Sequence, residues 1–427
     1  MQLVILAGGK GTRLGLTDIP KPMVSMAGKP LLEHQIELAK HYGVDEIFIL
    51  SGHLAHVISD YFGDGHKWGV KIHHIVEPKP LGTAGALKLL KGKLTDRFLV
   101  FYGDVVMDFD IKSFQNFDLA HNGIASILVH PNDHPYDSDL IEINNTDKVL
   151  AFLPKPHPHN LNYRNLVNAA VYILSPEIMD YIEDDVSSDF GKDIFPKVLK
   201  AQKDIYAYQT AEYVKDMGTK DRFLAVCQDL ESGKVSRLNK RNKRPAIFLD
   251  RDGTLNKNMD THPSVKDFEL LPDVAQAVKL INSTNYLAII ITNQPMIAKG
   301  FISFQDVENI HKKLETDLGN NQAYVDRIYY CPHHPDKGFA GEIPDLKIDC
   351  DCRKPKIGLF LQAQQDFNID LSRSWMIGDS ETDMQAGKTA GCETILVNNT
   401  VSRCEIADFQ ANNLLAAINL ILERSKK

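Results

Sequence analysis

A pattern of short apolar strands alternating with amphipathic helical stretches begins twice in this chain, and each beginning has the same form. An apolar strand breaks at once into a loop carrying glycines or carboxylates. Residues 3–7 (LVILA) run into Ala7-Gly8-Gly9-Lys10-Gly11-Thr12-Arg13, and the run ending at residue 250 opens onto Asp250-Arg251-Asp252-Gly253-Thr254. Strands separated by helices are joined through crossovers, so each series predicts a mostly parallel sheet with helices on its faces. In the first series strands are expected at 3–7, 46–50, 71–76 and 97–103, and helices around 30–41, 53–62 and 83–91. From about 124 to 173 strand patterns crowd together, which adds antiparallel strands, and a helix near 219–231 follows. The second series predicts strands at 246–250, 287–292, 326–330, 374–378 and 394–397. Between the two, SGKVSRLNKRNKRP replaces apolar residues with basic and turn-forming ones and reads as a solvated linker, with a polyanion site as the alternative. The expected organisation is an α/β protein of two domains, 1–232 and 245–427, with a linker at 233–244.

Composition agrees. A chain of 427 residues exceeds what one ordinary core accommodates. Its 48 Lys and Arg against 56 Asp and Glu leave a net charge of −8, without the basic footprint of a nucleic-acid binder. No apolar run has the length of a membrane span. The N-terminus enters a strand without a basic leader, so no secretory signal is expected and the cytoplasm is the expected compartment. Six cysteines do not make a disulfide scaffold, but Cys331, Cys350 and Cys352 lie close enough together to suggest metal. Cys227, Cys392 and Cys404 are expected as small buried residues.

The loop after residue 7 suits phosphate. Glycines let the backbone approach closely and present N–H groups to oxygens. Arg13 can add a bidentate contact, and Lys21 a second cation on a loop stiffened by Pro20 and Pro22. The spacing matches neither a Walker A loop nor the dinucleotide fingerprint, since Arg13 stands where the third glycine of the latter would be. PKPMVSMAGKP, EPKPLGTAGAL, YGDVVMD, Lys155-Pro156, NAAVYIL and KDMGT then occur in order. Over residues 1–230 this set resembles the sugar-1-phosphate nucleotidyltransferases, in the branch that makes GDP-mannose-like and GDP-heptose-like products. The resemblance implies a Rossmann-like domain in which Gly8, Gly9, Gly11, Thr12 and Arg13 bind a nucleoside triphosphate, GTP in that branch. It places Lys21 on the phosphates, Glu77, Gly82 and Thr83 at base and ribose, Lys155 and Asn168 at the sugar phosphate, and Mg²⁺ on Asp104 and Asp216. Joining two polyanions needs cations and in-line alignment more than an acid or base, which accords with that assignment.

Asp250 and Asp252, two residues apart past a strand end, repel unless a cation bridges them. Asp379 and Asp383 follow another expected strand, and Thr292-Asn293-Gln294 and Arg353-Lys354 add a hydroxyl and two cations. DxDGT, TNQ, RKP and GDxxxD in this order resemble the haloacid-dehalogenase-like phosphatases, which implies a doubly wound parallel sheet. The resemblance makes Asp250 the nucleophile and Asp252 the general acid and then base. Asp250, Asp252 and Asp379 would hold Mg²⁺, Thr292 and Lys354 would neutralise the phosphoryl group, and Asn293 and Arg353 would contact substrate.

Between these motifs, Cys331-Pro332-His333-His334 and Cys350-Asp351-Cys352 supply three thiols and an imidazole, the donors of a closed tetrahedral zinc site. Cys331, His333, Cys350 and Cys352 are the expected ligands, with His334 as an alternative to His333. Because protein fills all four positions, the zinc is expected to be structural and to pin the loop that delivers Arg353 and Lys354. CPHHP with CxCRKP is similar to two phosphatase families, for heptose 1,7-bisphosphate and for histidinol phosphate. DRDGTLN, IYYCPHHP and GDSETDMQAG resemble the heptose enzymes more. The joint implication is a bifunctional enzyme that removes the 7-phosphate of heptose 1,7-bisphosphate and converts heptose 1-phosphate to GDP-heptose for a surface glycan such as lipopolysaccharide. Two alternatives are a mannose-1-phosphate-type transferase fused to a histidinol-phosphate-type or promiscuous phosphatase, and a non-catalytic nucleotide-sugar sensor.

Overall fold

The computed structural model describes residues 1–9, 18–259, 262–397 and 405–425. Gly11, Thr12, Arg13 and Cys404 lie outside the described residues. The chain forms two compact units. The first comprises Met1–His130, Ser138–Lys155 and Leu166–Asn239; the second comprises Pro131–Asp137, Pro156–Asn165 and Lys240–Lys427.

In the first unit the strands run in the order Val149–Leu153, Leu140–Ile143, Val167–Leu174, Phe98–Tyr102, Leu3–Ala7, Glu46–Ser51, Lys71–Val76. Leu3–Ala7 pairs in parallel with both neighbours, and Glu46–Ser51 with Lys71–Val76. Val167–Leu174 joins Phe98–Tyr102 antiparallel, as the strand-rich middle of the sequence suggested. Side chains alternate between the two faces: Leu3, Ile5 and Ala7 enter one core, Val4 and Leu6 the other. A strand buried on both sides has no polar alternation, which is why residues 3–7 are apolar throughout. A separate antiparallel ribbon, Val105–Asp108 with Tyr213–Asp216, was not among the expected strands. The expected helix at 83–91 divides into an α turn, Gly82–Gly85, and a 3-10 stretch, Ala86–Leu90.

The basic stretch beyond residue 232 is less solvated than its composition suggests. Lys234–Arg237 forms a helical turn whose Val235 is buried beside Met26, Leu31 and Tyr213, while Arg237 points to solvent. The Asn239 amide donates to Asp108 Oδ1 at 2.6 Å. Apolar residues three apart, Val235 and Leu238, pack although the residues around them are charged.

The second unit carries a six-stranded sheet, all parallel, in the order Arg327–Cys331, Leu287–Asn293, Ala246–Leu249, Trp375–Gly378, Glu393–Val397, Phe409–Ala411. The last of these was not legible as a strand. The order reverses at Ala246–Leu249, so Asp250 and the ends of Leu287–Asn293 and Trp375–Gly378 meet at the carboxyl edge, where open α/β sheets place their ligand crevices. No described helix is long and apolar enough to cross a membrane.

Candidate active sites and metal centre

In the first unit the ribbon brings Asp104 and Asp216 together. Asp216 lies opposite Val105, and the Met217 N–H donates to the Asp104 carbonyl at 3.2 Å. Each carboxylate has a cation: Lys21 pairs with Asp104, and Arg222 Nη1 with Asp216 Oδ2 at 2.9 Å. Burial alone would raise the Asp216 carboxyl. Arg222, the Gly218 N–H and Lys21 outweigh it and hold the group below its usual range. Two carboxylate oxygen donors at one ribbon end are the ligand type a hard divalent cation takes. Glu77 accepts from the Leu81 N–H at 3.0 Å and sits over Gly8, where an added Cβ would stand 2.1 Å from Glu77 Oε1. A side chain there would displace the Glu77 carboxylate, and burial raises the Glu77 carboxyl. Gly9 has open space on its side-chain face, and Gly82 takes a left-handed φ of 74°. Thr83 is engaged within the fold: its hydroxyl donates to Asp189 Oδ2 at 2.9 Å and accepts from the Phe190 N–H at 3.1 Å. Lys155 and Asn168 are joined through a residue the sequence did not single out. Asp139 Oδ1 accepts from the Lys155 N–H at 3.1 Å, and the Asp139 carbonyl accepts from the Asn168 N–H at 3.1 Å.

In the second unit a cleft of about 450 Å³ opens over Asp250, Asp252, Thr292, Asn293, Arg353 and Lys354. Lys354, 3% exposed, is its centre of charge. Its Nζ lies 2.8 Å from Asp250 Oδ1 and 2.6 Å from Asp383 Oδ1, and it donates to the Ile291 carbonyl at 2.9 Å. Burial would lower its pKa, but the two carboxylates raise it and hold the ammonium charged. Asn293 fixes the same residue from the backbone side, accepting from the Lys354 N–H at 3.0 Å and donating to its carbonyl at 3.1 Å. Arg353 Nη1 is buried with no partner among the described residues, as suits a cation that awaits an anion. Asp250, Asp379 and Asp383 each offer an oxygen, and the three lie within 4.8 Å of one another. Asp379 reaches this position over Gly253, whose φ of 79° and missing Cβ leave room for the carboxylate. The three-carboxylate donor set fits Mg²⁺. Asp252 stands outside that group. Its carboxylate is held by Arg251, by Asn256 at 2.9 Å and by Gln294 at 2.8 Å, and Gln294 also donates to Thr292 Oγ1 at 3.0 Å.

Burial pushes the Asp250 carboxyl up to about 7, against the pull of Lys354. The metal-free fold therefore binds a proton that the unfolded chain, with an Asp near 3.9, has lost. That contribution is present at low pH and disappears as pH rises through about 7. Because Mg²⁺ must displace this proton, its stabilisation should grow across the same window. The rise in melting temperature on adding Mg²⁺ is expected to be larger at pH 8 than at pH 6; equal rises would contradict the placement of the cation on Asp250.

The four expected zinc ligands converge. Cys352 Sγ lies 3.2 Å from Cys331 Sγ, 3.2 Å from Cys350 Sγ and 3.2 Å from His333 Nδ1. Hydrogen bonds from Cys331 first, then Cys350 and His333, bring the Cys352 thiol down to about 5, thiolate territory at neutral pH. The sulfur and nitrogen set fits a closed zinc site. His334 turns away, its ring edge-on to Phe339 with centroids 6.2 Å apart. Cys352→Ser is expected to lower the melting temperature of the second unit by on the order of 10 °C and to release metal without affecting nucleotidyl transfer. Freshly purified protein without zinc would refute the site.

The nucleotidyl transferase family matches residues 2–233, more than half of the chain. The chain belongs to the nucleotidyl transferase family. A second family, described as HAD-hydrolase-like, matches residues 351–417. Mannose-1-phosphate guanylyltransferase 1 of Arabidopsis thaliana is 32% identical over 372 residues, covering 84% of this chain and 99% of that protein. The D-glycero-beta-D-manno-heptose-1,7-bisphosphate 7-phosphatase of Haemophilus ducreyi is 40% identical over 158 residues, covering 37% of this chain and 84% of that protein. Among solved structures, HddC from Yersinia pseudotuberculosis is 29% identical and covers 54% of this chain and 99% of its own, with a TM-score of 0.47. This nucleotidyl transferase thus carries a C-terminal HAD-like phosphatase domain, and the fusion is a bifunctional enzyme.

Sequence reasoning missed Arg222, Asp139 and Asp189 in the transferase and Gln294 as a ligand of Asp252 in the phosphatase. Arg222 follows Asp216 closely, on the helix Lys220–Glu231, a proximity that could have marked it. Asp139 comes near its partners through the pairing of the strands beside it, and Asp189 through backbone hydrogen bonds that join Ser188 to Leu81 and Ala84.

Proposed function

We propose that the enzyme removes the 7-phosphate of D-glycero-D-manno-heptose 1,7-bisphosphate and then joins the resulting heptose 1-phosphate to GMP from GTP, giving GDP-heptose and pyrophosphate. The observation that carries this reading is the cleft around Asp250, Lys354 and Asp383, on the same chain as the transferase fold. The Haemophilus relative, named for removal of the 7-phosphate from a heptose bisphosphate, supports it. A nucleotidyltransferase needs an anomeric phosphate as nucleophile, so a partner phosphatase acting consecutively must spare that group and take the one on the primary carbon.

In the phosphatase, a carboxylate oxygen of Asp250 attacks phosphorus and the bond from phosphorus to O7 breaks, with Asp252 donating the proton that O7 requires. Asp252 then takes a proton from water, whose oxygen attacks the aspartyl-phosphate, and phosphate and the free Asp250 carboxylate result. Lys354, Thr292 and Arg353 meet the phosphoryl oxygens, and Asn293 holds Lys354 in place. Mg²⁺ held by Asp250, Asp379 and Asp383 or Asp252 would supply further neutralisation of the transferring group. In the transferase, an oxygen of the sugar 1-phosphate attacks the α-phosphorus of GTP and pyrophosphate leaves. Arg13 and Lys21 neutralise the triphosphate, Gly8, Gly9, Gly11 and Thr12 cradle it, and Lys155 and Asn168 align the sugar phosphate; Asp104 and Asp216 are the ligands for Mg²⁺ there. Zinc on Cys331, His333, Cys350 and Cys352 is structural. Substrates of this kind belong to the cytoplasm, and the product would serve a surface glycan.

A second reading, a mannose 1-phosphate guanylyltransferase fused to a phosphatase of other specificity, is favoured by the identity to the Arabidopsis protein across 84% of this chain. Incubation with heptose 1,7-bisphosphate or mannose 1-phosphate and each of the four NTPs, followed by mass spectrometry, separates the two. The expected result is GDP-heptose, with the 7-phosphate resonance lost before the anomeric one in phosphorus NMR. Loss of the anomeric resonance first would end the consecutive-step reading.

A further inference from the structure

A buried polar network in the second unit has no part in the chemistry above. The helix Phe304–Asn320 carries Glu308, His311 and Glu315 at spacings of three and four, which places them on one face. Arg164, from the segment Pro156–Asn165 of the same unit, lies across the two acids. Its Nη1 donates to Glu308 Oε2 at 3.0 Å, and its Nε lies 2.6 Å from Glu315 Oε2. The neighbouring chain is fastened to the same helix, with the Tyr163 N–H donating to Thr316 Oγ1 at 2.9 Å. Gly319 extends the contact, since a Cβ there would stand 2.5 Å from Pro135 Cγ.

On that helix face His311, 1% exposed, meets Arg251, also 1% exposed, with Nε2 3.2 Å from Arg251 Nη1. A guanidinium can only donate, so His311 Nε2 is the acceptor and the ring is neutral. Burial, and then the charges of Arg251 and Arg164, keep it so by lowering its pKa well below the usual value. The remaining nitrogens of Arg251 fork onto Asp252, with Nη2 2.8 Å from Oδ2 and 3.0 Å from Oδ1. A buried guanidinium that loses an acceptor turns toward another one. Displacing the helix face therefore turns Arg251, and Asp252 moves with it.

We propose that Arg164 is a positioning residue of the phosphatase reaction: by bridging Glu308 and Glu315 it seats His311 against Arg251, which orients Asp252. Arg164 touches neither substrate nor reacting atoms. The inference rests on the reading of Asp252 as general acid and base. It also means that the phosphatase unit depends on a segment, Pro156–Asn165, that lies far upstream of its first strand, Ala246–Leu249.

The test measures phosphate release from heptose 1,7-bisphosphate and from p-nitrophenyl phosphate by the full chain with Mg²⁺. A misplacement of about 1 Å can cost about a hundredfold in rate, so Arg164→Met and His311→Leu are each expected to lower kcat at least about tenfold while KM stays within about twofold. His311→Gln, whose amide oxygen can still accept from Arg251, should recover most of the loss. Wild-type kcat in a folded Arg164→Met variant overturns the proposal, as do equal losses in His311→Leu and His311→Gln. Should Arg164→Met not fold, Arg164→Lys and the two His311 variants decide the matter in the same way. Phosphate release surviving in Asp250→Asn would instead defeat the phosphatase assignment itself, so the two failures are distinguishable.

Discussion

Asp250→Asn is expected to abolish phosphate release while nucleotidyl transfer from a supplied sugar 1-phosphate continues at close to the wild-type rate. The substitution keeps the shape of the side chain, and its amide can still accept from Lys354 through the oxygen, so the sheet edge should not rearrange. What it removes is the anionic oxygen that attacks phosphorus. An amide is a poor nucleophile, and loss of a covalent nucleophile typically costs on the order of 10⁴-fold or more in kcat. The transferase carboxylates, Asp104 and Asp216, belong to a different compact unit with its own cores, so the reciprocal variant Asp104→Asn should lose transfer and keep phosphate release. Measuring both reactions in both variants checks this. Loss of both activities from either change would mean that the sites are not independent.

Much of this was legible because chemistry-bearing loops sit at the ends of strands whose apolar runs are unmistakable. Residues 3–7 and 246–249 are apolar because each strand is buried on both faces, and that burial announces where the following loop emerges. The zinc ligands were legible for a related reason: four donors gathered between Cys331 and Cys352 need no long-range fold to be suspected. Other features were hidden. The ribbon that aligns Asp104 with Asp216 joins two segments far apart in the sequence, Val105–Asp108 and Tyr213–Asp216, and each strand is only 4 residues long. Phe409–Ala411 has 3 residues, too few for periodicity to register. Asp383 reads in the sequence as one more carboxylate of GDxxxD. In the structure it accepts from Ser380 Oγ at 2.6 Å, pairs with Lys354 and joins Asp250 and Asp379. Nothing in the sequence marks Arg164 as a partner of Glu308 and Glu315, because pairing between segments so distant along the chain leaves no local pattern.

Lys354→Met is expected to damage stability and catalysis together, and its pH dependence identifies the cause. Lys354 is buried between Asp250 and Asp383, and its ammonium is the nearest compensation for both carboxylates. Methionine fills similar volume without charge, so the packing term should be small. Removing one member of a buried ion pair leaves an uncompensated charge, which costs about 3–5 kcal/mol. Here the variant leaves two carboxylates facing each other. They can escape by taking up a proton, a step already close at hand for Asp250, whose carboxyl stands at about 7 even with the lysine present. The folded variant would then bind more protons than its unfolded chain, so its stability falls as pH rises. The deficit relative to wild type, followed by denaturant melts without Mg²⁺, should thus be largest near pH 8 and shrink toward pH 5.5. Phosphate release should fall at least about a hundredfold, because the same cation faces the developing charge on the phosphoryl oxygens. A deficit of the same size at both pH values would point to lost packing, and Lys354 would then not be the electrostatic centre of the cleft.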